Sequence, residues 1–322
     1  MTLPRTTRVV SPFGARSRAL DVAAGHDLSG RFAVVTGASS GLGVETARAL
    51  VETGARVLLA VRDLDRGETS RQSLLATHPG AEVEVATLDL GDLASIRAFV
   101  AHVLARNASL DLLINNAAVM ATPRATTSDG FELQFGTNHL GHFALTTGLL
   151  PLLLAAKDAR VVCLSSIGHR RSPVDFTDPF FERRPYDKWS AYGQSKTACA
   201  LFAVGLDRRY RAHGLIANAV HPGGIMTGLQ KYLPLDEQIA MGWRDAEGRV
   251  NRAFKDTQQG AATSVWAALG EELNDVGGLY LEDCAQARPF DEALPFAGVM
   301  AHALDPDAAD RLWDLSEQLT NR

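Results

Sequence analysis

Tyr192 and Lys196 are the two side chains of this sequence whose types and spacing best suit proton transfer. Residues four apart on a helix lie on one face about one turn apart, so the amine and the phenol would be neighbours. A neighbouring ammonium stabilises the phenolate form of a tyrosine, as general acid/base catalysis requires. The spacing therefore predicts an acid/base pair, with a solvated pair on a helix surface as the alternative.

Three further polar side chains are candidates for the same site. Ser166 ends the apolar segment 160–166, which predicts a buried strand, and the carboxyl ends of parallel strands carry the ligand sites of α/β proteins. Ser165 precedes it and is the alternative hydroxyl. Asn138 lies among apolar neighbours in a predicted helical region, 131–154, where a buried amide must be hydrogen bonded.

A glycine-rich turn near the start of the chain predicts a cradle for a dinucleotide. The apolar residues 32–35 predict a strand with two buried faces, and a helical period begins at Val44. Gly37 and Gly41 lack Cβ atoms, so the turn between strand and helix can approach a pyrophosphate, and Gly43 lets the helix lie close to the strand. The spacing differs from the common G-x-G-x-x-G pattern, and a plain tight turn is the alternative.

The end of the second predicted strand, residues 55–62, bears on the choice of dinucleotide. An acidic residue there would accept hydrogen bonds from the adenosine ribose, whereas arginine suits a 2′-phosphate. Arg62 occupies this place, and Arg66 would reach the same phosphate if a helical turn begins between them. The sequence favours NADP(H) over NAD(H), with two solvated arginines as the alternative.

The third predicted strand, residues 82–88, ends in Asp89 and Leu90 at the same sheet edge. Asp89 is interpreted either as a contact for the adenine amino group or as the N-cap of a helix that begins near Leu93.

Strands and helices alternate along the chain, with further strands predicted at 110–114, 215–220 and 278–281. This alternation predicts an α/β fold: a single Rossmann-type, doubly wound parallel sheet of about seven strands with helices on both faces. The predicted divisions are an extension at 1–29 that contains Arg5, Arg8, Arg16 and Arg18, one domain at 30–322, a substrate lid at 228–260 and a C-terminal helix at 305–320.

The net charge of the chain and the lengths of its apolar segments limit the classes of binding partner that we expect. A net charge of −5 and a pI near 6.0 give no general field that attracts nucleic acid. The longest apolar segment, 145–156, is too short to span a bilayer, and no signal-peptide pattern precedes residue 30. We expect a cytoplasmic protein that binds small molecules, without nucleic acid and without membrane insertion.

Cysteines and histidines indicate neither a disulfide framework nor a metal. Cys163, Cys199 and Cys284 are widely spaced and form no CxxC pair, which favours a reducing compartment. His139 and His142 are three apart, but no third ligand accompanies them, and we predict no metal site.

The ordered set of motifs resembles the short-chain dehydrogenase/reductase family over residues 29–285. The set is Thr36-Gly-Ala-Ser-Ser-Gly-Leu-Gly43, Asn115-Asn-Ala-Ala118, Asn138, Ser166, Tyr192-x-x-x-Lys196 and Pro222-Gly223. Residues 137–143, the Arg62 end of the second strand and residues 278–284 look most like the retinol dehydrogenase and WW-domain oxidoreductase branch. Ala118 stands where the family usually has glycine.

The resemblance implies hydride transfer between a nicotinamide cofactor and a ketone or aldehyde, reversible from the alcohol. It makes Tyr192 the acid that protonates the carbonyl oxygen and Lys196 its partner, which also holds the nicotinamide ribose. Ser166 would orient the substrate oxygen, and Asn138 would fix a water that links Lys196 to solvent. It also implies cofactor contacts from Ser39, Ser40, Leu42, Asn116, Ala117, Pro222, Gly223, Ile225 and Thr227.

Aromatic residues in the loop 168–189 bear on the substrate: Phe176, Phe180, Phe181 and Trp189. They predict an apolar or aromatic carbonyl compound, with packing of the loop onto the body as an equal alternative. The leading hypothesis is an NADP(H)-dependent reductase, compatible with a homodimer or a homotetramer. An NAD-preferring alcohol dehydrogenase and a non-catalytic dinucleotide-binding redox sensor are the alternatives.

Overall fold

Eight short segments form one sheet in a computed structural model that describes residues 8–321. The strands are β1 (Phe32–Thr36), β2 (Arg56–Val61), β3 (Val83–Thr87), β4 (Leu112–Asn115), β5 (Ala159–Leu164), β6 (Leu215–His221), β7 (Tyr280–Glu282) and β8 (Ala285–Gln286). Their order is β3-β2-β1-β4-β5-β6-β7-β8; all neighbours are parallel except β7 and β8. Every residue of β1, β5 and β6 is buried, as a parallel sheet covered on both faces requires. The predicted fold class is confirmed, with a two-residue antiparallel strand added at one edge.

Helices cover both faces of this sheet. They are α1 (Ala19–Ala23), α2 (Gly41–Glu52), α3 (Leu64–Thr77), α4 (Leu93–Arg106), α5 (Leu133–Phe135), α6 (Gly141–Ala155), α7 (Lys188–Tyr210), α8 (Leu235–Ala240), α9 (Thr257–Leu269) and α10 (Pro306–Thr320). Successive side chains of a strand point to opposite faces, so Val34 joins the core beneath α4, α6 and α7, whereas Val35 joins the core beneath α2 and α9.

Helix α10 covers the outer side of α6 and α7. The ring of Trp313 lies 5.0 Å from that of Phe143 and 6.0 Å from that of Phe202. Residues 191–207 of α7 are all buried as a result, since the sheet covers one side of α7 and α10 covers another. This burial fixes the helix that carries Tyr192 and Lys196.

The N-terminal extension lies against the domain from residue 8 onward; residues 1–7, which include Arg5, and residue 322 lie outside the described residues. The Gln286 amide donates to Val9 O at 2.8 Å, and the Val9 amide donates to Gln286 Oε1 at 3.1 Å. Ser11 Oγ donates to Cys284 O at 2.7 Å. Helix α1 then packs against α2 and α9.

Candidate active site

The carboxyl ends of β1, β4, β5 and β6 open onto one cleft of about 1110 Å³, at the edge where parallel sheets bind ligands. The predicted residues that line it are Gly37, Ser39, Ser40, Gly41, Leu42, Arg66, Asn116, Ala117, Ser166, Tyr192, Lys196, Pro222, Gly223, Ile225 and Thr227. The predicted residues outside the lining are Gly43, Arg62, Asp89, Leu90 and Asn138.

The glycine turn needs residues without side chains at two positions. Gly37 has φ +68°, and a Cβ on it would lie 2.9 Å from Ala117 Cα. A Cβ on Gly43 would lie 2.6 Å from Gly37 O and 2.7 Å from Asn116 Nδ2. The contacts involve backbone atoms that cannot move aside, so the strand, the turn and helix α2 meet at this distance only with glycine. Asn116 completes the turn by donating from Nδ2 to Thr36 O at 2.7 Å.

Thr36 connects this turn to a buried histidine that the sequence analysis did not identify as a support. Thr36 Oγ1 accepts from the amides of Asn116 and Ala117 at 2.9 and 3.0 Å and lies 2.9 Å from His142 Nε2. His142 Nδ1 lies 2.9 Å from Asn138 O, which can only accept, so Nδ1 carries the proton. Burial lowers the pKa of His142 to about 4, which keeps the ring neutral and leaves Nε2 to accept from Thr36.

Tyr192 and Lys196 face the cleft from α7. Lys196 Nζ lies 5.8 Å from the centre of the Tyr192 ring and donates to Leu164 O at 2.8 Å. The two residues are 4% and 2% exposed, so neither is a solvated surface group. Asp187 caps the helix by accepting from the Ser190 amide at 2.7 Å, which sets where the first turn begins. The amine and the phenol therefore border the same cavity as the glycine turn.

The two candidate serines have different surroundings. Ser165 Oγ donates to Lys196 O at 2.7 Å and is thereby committed to the backbone of α7. Ser166 Oγ accepts from the Gly168 amide at 3.1 Å. The hydroxyl hydrogen of Ser166 remains able to donate to a ligand oxygen, because the contact to Gly168 uses a lone pair.

Asn138 lies in a single π-helical turn, Gly136–Leu140, between α5 and α6. Its Oδ1 accepts from the Val119 amide at 2.8 Å, and its Nδ2 donates to Val119 O and Ser195 Oγ, both at 2.9 Å. Its main-chain oxygen accepts from His142 Nδ1 at 2.9 Å and from Cys199 Sγ at 3.2 Å. Both hydrogens of the amide and one lone pair of its oxygen are thus used within the protein, where the side chain joins the loop after β4 to α7.

Two more buried imidazoles support the loops around Ser166. His169 Nε2 accepts from the Met300 amide at 3.1 Å, and His169 Nδ1 lies 2.7 Å from Ser166 O. His221 Nδ1 accepts from the Gly223 amide at 3.4 Å. Burial lowers the pKa of His169 to about 4 and that of His221 to about 3. Both rings are therefore neutral acceptors at physiological pH.

Arg62 and Arg66 differ in their access to the cleft. Helix α3 begins between them, and Asp63 caps it by accepting from the Arg66 amide at 3.1 Å. Arg66 lines the cleft and Arg62 does not. Within residues 8–321, neither guanidinium has an ion-pair or hydrogen-bond partner, so the charge of Arg66 is open to a ligand.

Asp89 and Leu90 follow the carboxyl end of β3 as predicted, but neither lines the cleft. Asp89 Oδ1 accepts from the Gly91 amide at 2.8 Å, whereas Asp92 caps α4 by accepting from the Ala94 amide at 2.8 Å. The interpretation of Asp89 as the cap was wrong, because Asp92 directly precedes Leu93. Leu90 is 6% exposed and belongs to the hydrophobic core.

Aromatic and thioether side chains line the other part of the cleft: Met120, Trp189, Tyr232, Met241, Trp243, Phe254 and Phe296. Of the loop aromatics predicted to meet a substrate, Trp189 does line the cleft. Phe180 instead lies 5.4 Å from Phe131, Phe181 is 1% exposed, and Phe176 lies 4.3 Å from an arginine of α10. For these three phenylalanines the packing alternative holds.

The segment predicted as a lid consists of a short turn at Gly228–Tyr232, helix α8 and an irregular loop, while residues 257–260 belong to α9. Arg16 of the N-terminal extension holds the loop by donating to the main-chain oxygens of Phe254 at 3.1 Å and of Arg252 and Ala253, each at 3.3 Å. This contact spans most of the chain, and no sequence signal indicated it.

The cleft is positively charged although the chain carries −5. Its charged lining consists of Arg16, Arg66, Arg170, Arg171, Lys196, Lys231, Lys255, Glu282 and Asp283. Seven of these side chains are cationic and two are anionic, which favours a ligand with several negative charges.

Among residues 8–321, no three or more His, Cys, Asp or Glu side chains lie together as a metal site would require. No helix in the described part of the chain has the length and apolar character needed to cross a membrane.

The chain is similar to one protein family, to curated proteins and to solved structures. The family model described as short chain dehydrogenase matches residues 31–238. A "Probable oxidoreductase" of Streptomyces lividans is 48% identical over 292 residues, covering 89% of this chain and 97% of the relative. "Retinol dehydrogenase 12" of Mus musculus is 41% identical over 292 residues, covering 91% and 87%. A solved structure of an uncharacterized protein from Mycobacterium Paratuberculosis has a TM-score of 0.71 and 38% identity, covering 93% of this chain and 97% of that chain.

Proposed function

We propose that this chain, which belongs to the short-chain dehydrogenase family and has retinol dehydrogenases among its relatives, is an NADP(H)-dependent oxidoreductase that interconverts a ketone or aldehyde and the corresponding alcohol. The observation that carries the proposal is the buried pair of Tyr192 and Lys196 beside the glycine turn, in one positively charged cleft.

The residues around the turn fit a nicotinamide dinucleotide. Gly37 and Gly43 let strand β1, the turn and helix α2 pack at contact distance. No side chain caps the first amides of α2, and Gly41 and Leu42 of its first turn line the cleft, as a site for a pyrophosphate requires. The unpaired guanidinium of Arg66 suits a 2′-phosphate and supports NADP(H) over NAD(H). When bound, such a cofactor supplies or accepts the hydride.

The protein's own part in the reaction is the transfer of a proton. In the reductive direction, the Tyr192 hydroxyl gives its proton to the substrate oxygen, and the Lys196 ammonium stabilises the phenolate that remains. The Ser166 hydroxyl donates a hydrogen bond to the same substrate oxygen and orients it. Asn138 holds the loop after β4 against α7, which keeps Lys196 in place. In the oxidative direction, Tyr192 takes the proton from the alcohol.

The substrate we propose is an apolar or aromatic carbonyl compound. The cleft wall next to Tyr192 is formed by Trp189, Trp243 and Met120, which offer flat and polarisable surfaces and no unpaired charge. Cytoplasmic location and a homodimeric or homotetrameric state stay predictions, which fractionation and light scattering would test.

Tyr192→Phe tests the function directly. Reduction of a panel of ketones and aldehydes is followed by the absorbance of NADPH, and cofactor affinity is measured by fluorescence titration. We expect turnover to fall by about a thousandfold, the range seen for loss of a general acid, with cofactor affinity nearly unchanged. A redox sensor would show no turnover in either form.

The cofactor preference is tested separately. The affinities of the parent protein for NADPH and NADH are compared first, and a preference for NADH would favour an NAD-preferring alcohol dehydrogenase. Arg66→Asp should reverse a preference for NADPH, and an unchanged ratio of the two affinities would refute the role of Arg66.

A further inference from the structure

The carboxylate of Glu237 joins the segment predicted as a lid to the start of α7, the helix that carries Tyr192 and Lys196. Glu237 lies on α8, and its Oε2 lies 2.6 Å from Lys188 Nζ, while its Oε1 accepts from Trp189 Nε1 at 3.0 Å. Lys188 and Trp189 are the first two residues of α7. The side chains of Lys188 and Glu237 are 30% and 26% exposed, so solvent screens this pair less than a fully exposed one.

Trp189, the indole partner of this carboxylate, lies next to Tyr192, the proposed acid. Trp189 precedes Tyr192 by one helical turn, and their rings meet edge-on at 6.4 Å and 79°. On the lid side, Trp243 meets Trp189 edge-on at 6.0 Å and 84°. The Trp189 indole is therefore the wall between the phenol and the lid.

Two polar contacts bear on the plane of this wall: the Arg171 guanidinium lies over the indole, 5.2 Å from its centre, and Trp189 Nε1 donates to Glu237. The second side-chain torsion of a tryptophan has broad energy wells, so ring contacts alone leave the indole room to rotate. The N–H donates to the carboxylate of α8, a directional contact that restrains the rotation. A hydrogen bond to a charged acceptor is stronger than one to a neutral acceptor, and an indole N–H without an acceptor would be left unsatisfied.

We infer that Glu237 is a positioning residue that fixes the indole of Trp189 beside Tyr192 and so determines which carbonyl compounds the cleft accepts. Flat, bulky aromatic carbonyl compounds need the wall in one orientation, whereas small aliphatic ones do not touch it. The inference rests on the proposed function, because it concerns the substrate of the same site.

Glu237→Leu tests the inference with two probes, naphthaldehyde and propanal, each reduced with NADPH. We expect kcat/KM for naphthaldehyde to fall about tenfold, mainly through KM, since one hydrogen bond to a charged group is lost. For propanal we expect a change below about twofold. The matched control is Glu247→Leu, which removes a carboxylate of the same lid segment that pairs with Arg249 at 2.8 Å. Equal effects of Glu237→Leu on both probes would overturn the inference.

A charge exchange separates the ion pair from the indole contact. Lys188→Glu combined with Glu237→Lys restores opposite charges between α7 and α8 but gives the indole no acceptor. We expect this double variant to restore the slow hydrogen exchange of residues 235–243, which is lost in Glu237→Leu, but not the preference for naphthaldehyde. Recovery of that preference would show that the tether alone matters, and the inference would be wrong.

A readout without turnover keeps this result distinct from failure of the proposed function. The near-ultraviolet circular dichroism of the Trp189 and Trp243 pair reports the relative orientation of the rings. We expect the signal to change in Glu237→Leu and to stay as in the parent in Glu247→Leu. An unchanged signal in both overturns the inference even if neither aldehyde is reduced. Full activity of Tyr192→Phe, in contrast, would refute the proposed chemistry. It would not change what the circular dichroism of Glu237→Leu says about the orientation of the indole.

Discussion

The main chain forms one side of the cleft, and side chains form the other. The side around β1 and α2 is shaped by the backbone, with Gly37 and Gly43 at positions where any Cβ would collide with main-chain atoms. The side around α7 and residues 228–256 is shaped by side chains of distant segments, among them Trp189, Trp243 and Phe254. A backbone surface is set by a short local sequence, whereas a side-chain surface can change residue by residue without disturbing the sheet. Under the proposed function, the first side holds the dinucleotide and the second holds the substrate, and we call them the cofactor side and the substrate side.

The largest effect that we expect is a fall in the free energy of unfolding at low pH. It involves buried histidines beneath both sides of the cleft, so it would limit the contrast between the sides. Four buried histidines have pKa values lowered by burial from 6.5 to about 3 or 4: His139, His142, His169 and His221. Because the unfolded chain binds protons more readily, the free energy of unfolding falls as the pH drops from 6.5 toward 4. Each histidine contributes a slope of up to about 1.4 kcal/mol per pH unit.

Urea unfolding at pH values between 7.5 and 4.5 measures this slope. Burial raises the pKa values of Glu132 and Glu282, whose protonation opposes the trend, but they are two groups against four. His142→Gln, beneath the cofactor side, and His169→Gln, beneath Ser166, should each flatten the slope. A stability that does not vary over this range would show that the imidazoles are charged or exposed.

Gly43→Ala should affect the cofactor side next most strongly. The added methyl would lie 2.6 Å from Gly37 O, so we expect unfolding to become easier by about 2 kcal/mol and cofactor affinity to fall at least about tenfold. Gly80→Ala is the control, because a Cβ there meets nothing within 4 Å. Trp243→Ala on the opposite side should leave cofactor affinity unchanged, and equal losses in Gly43→Ala and Trp243→Ala would remove the distinction between the sides.

Arg66→Ala sharpens the comparison within the cofactor side, since here one side chain rather than the backbone chooses the ligand. We expect the Kd for NADPH to rise about tenfold, the effect of losing one charge-assisted phosphate contact, while the Kd for NADH stays the same. Arg62→Ala should have a smaller effect, because Arg62 lies outside the cleft lining. Titration of each variant with both cofactors checks this; a parallel change for NADH would contradict the role of Arg66.

Arg16→Ala should have the smallest effect and the most local one. Removing three hydrogen bonds to the loop at residues 252–254 should lower the local opening free energy by about 1 kcal/mol. Hydrogen exchange of residues 251–255 would then be faster. Arg18→Ala on the same extension is the control, and identical exchange in the two variants would show that Arg16 does not hold the loop.

The contrast between the sides also explains what sequence could predict. Apolar segments predicted the parallel strands, and local spacing predicted the glycine turn and the Tyr192 and Lys196 pair, because these depend on neighbours in the chain. Asp89 and Asp92 lie within four residues of Leu93, and only the path of the turn decides which one caps α4.

The substrate side could not be predicted in the same way. Burial of an aromatic side chain is favourable both in a core and in a cleft wall. The residue type alone therefore could not distinguish Phe180, which packs inward, from Trp189, which faces the cleft. The neutral state of His142 and His169 depends on burial by distant segments. The same holds for Arg16, whose partners lie more than 230 residues further along the chain.

The hydrogen bonds between Val9 and Gln286 have a consequence for biosynthesis, because these residues are 277 positions apart. Val9 leaves the ribosome long before its partner is made, so the nascent chain carries an unpaired N-terminal segment while β1 to β6 can already assemble. The last edge of the sheet can therefore close only once translation has passed residue 286.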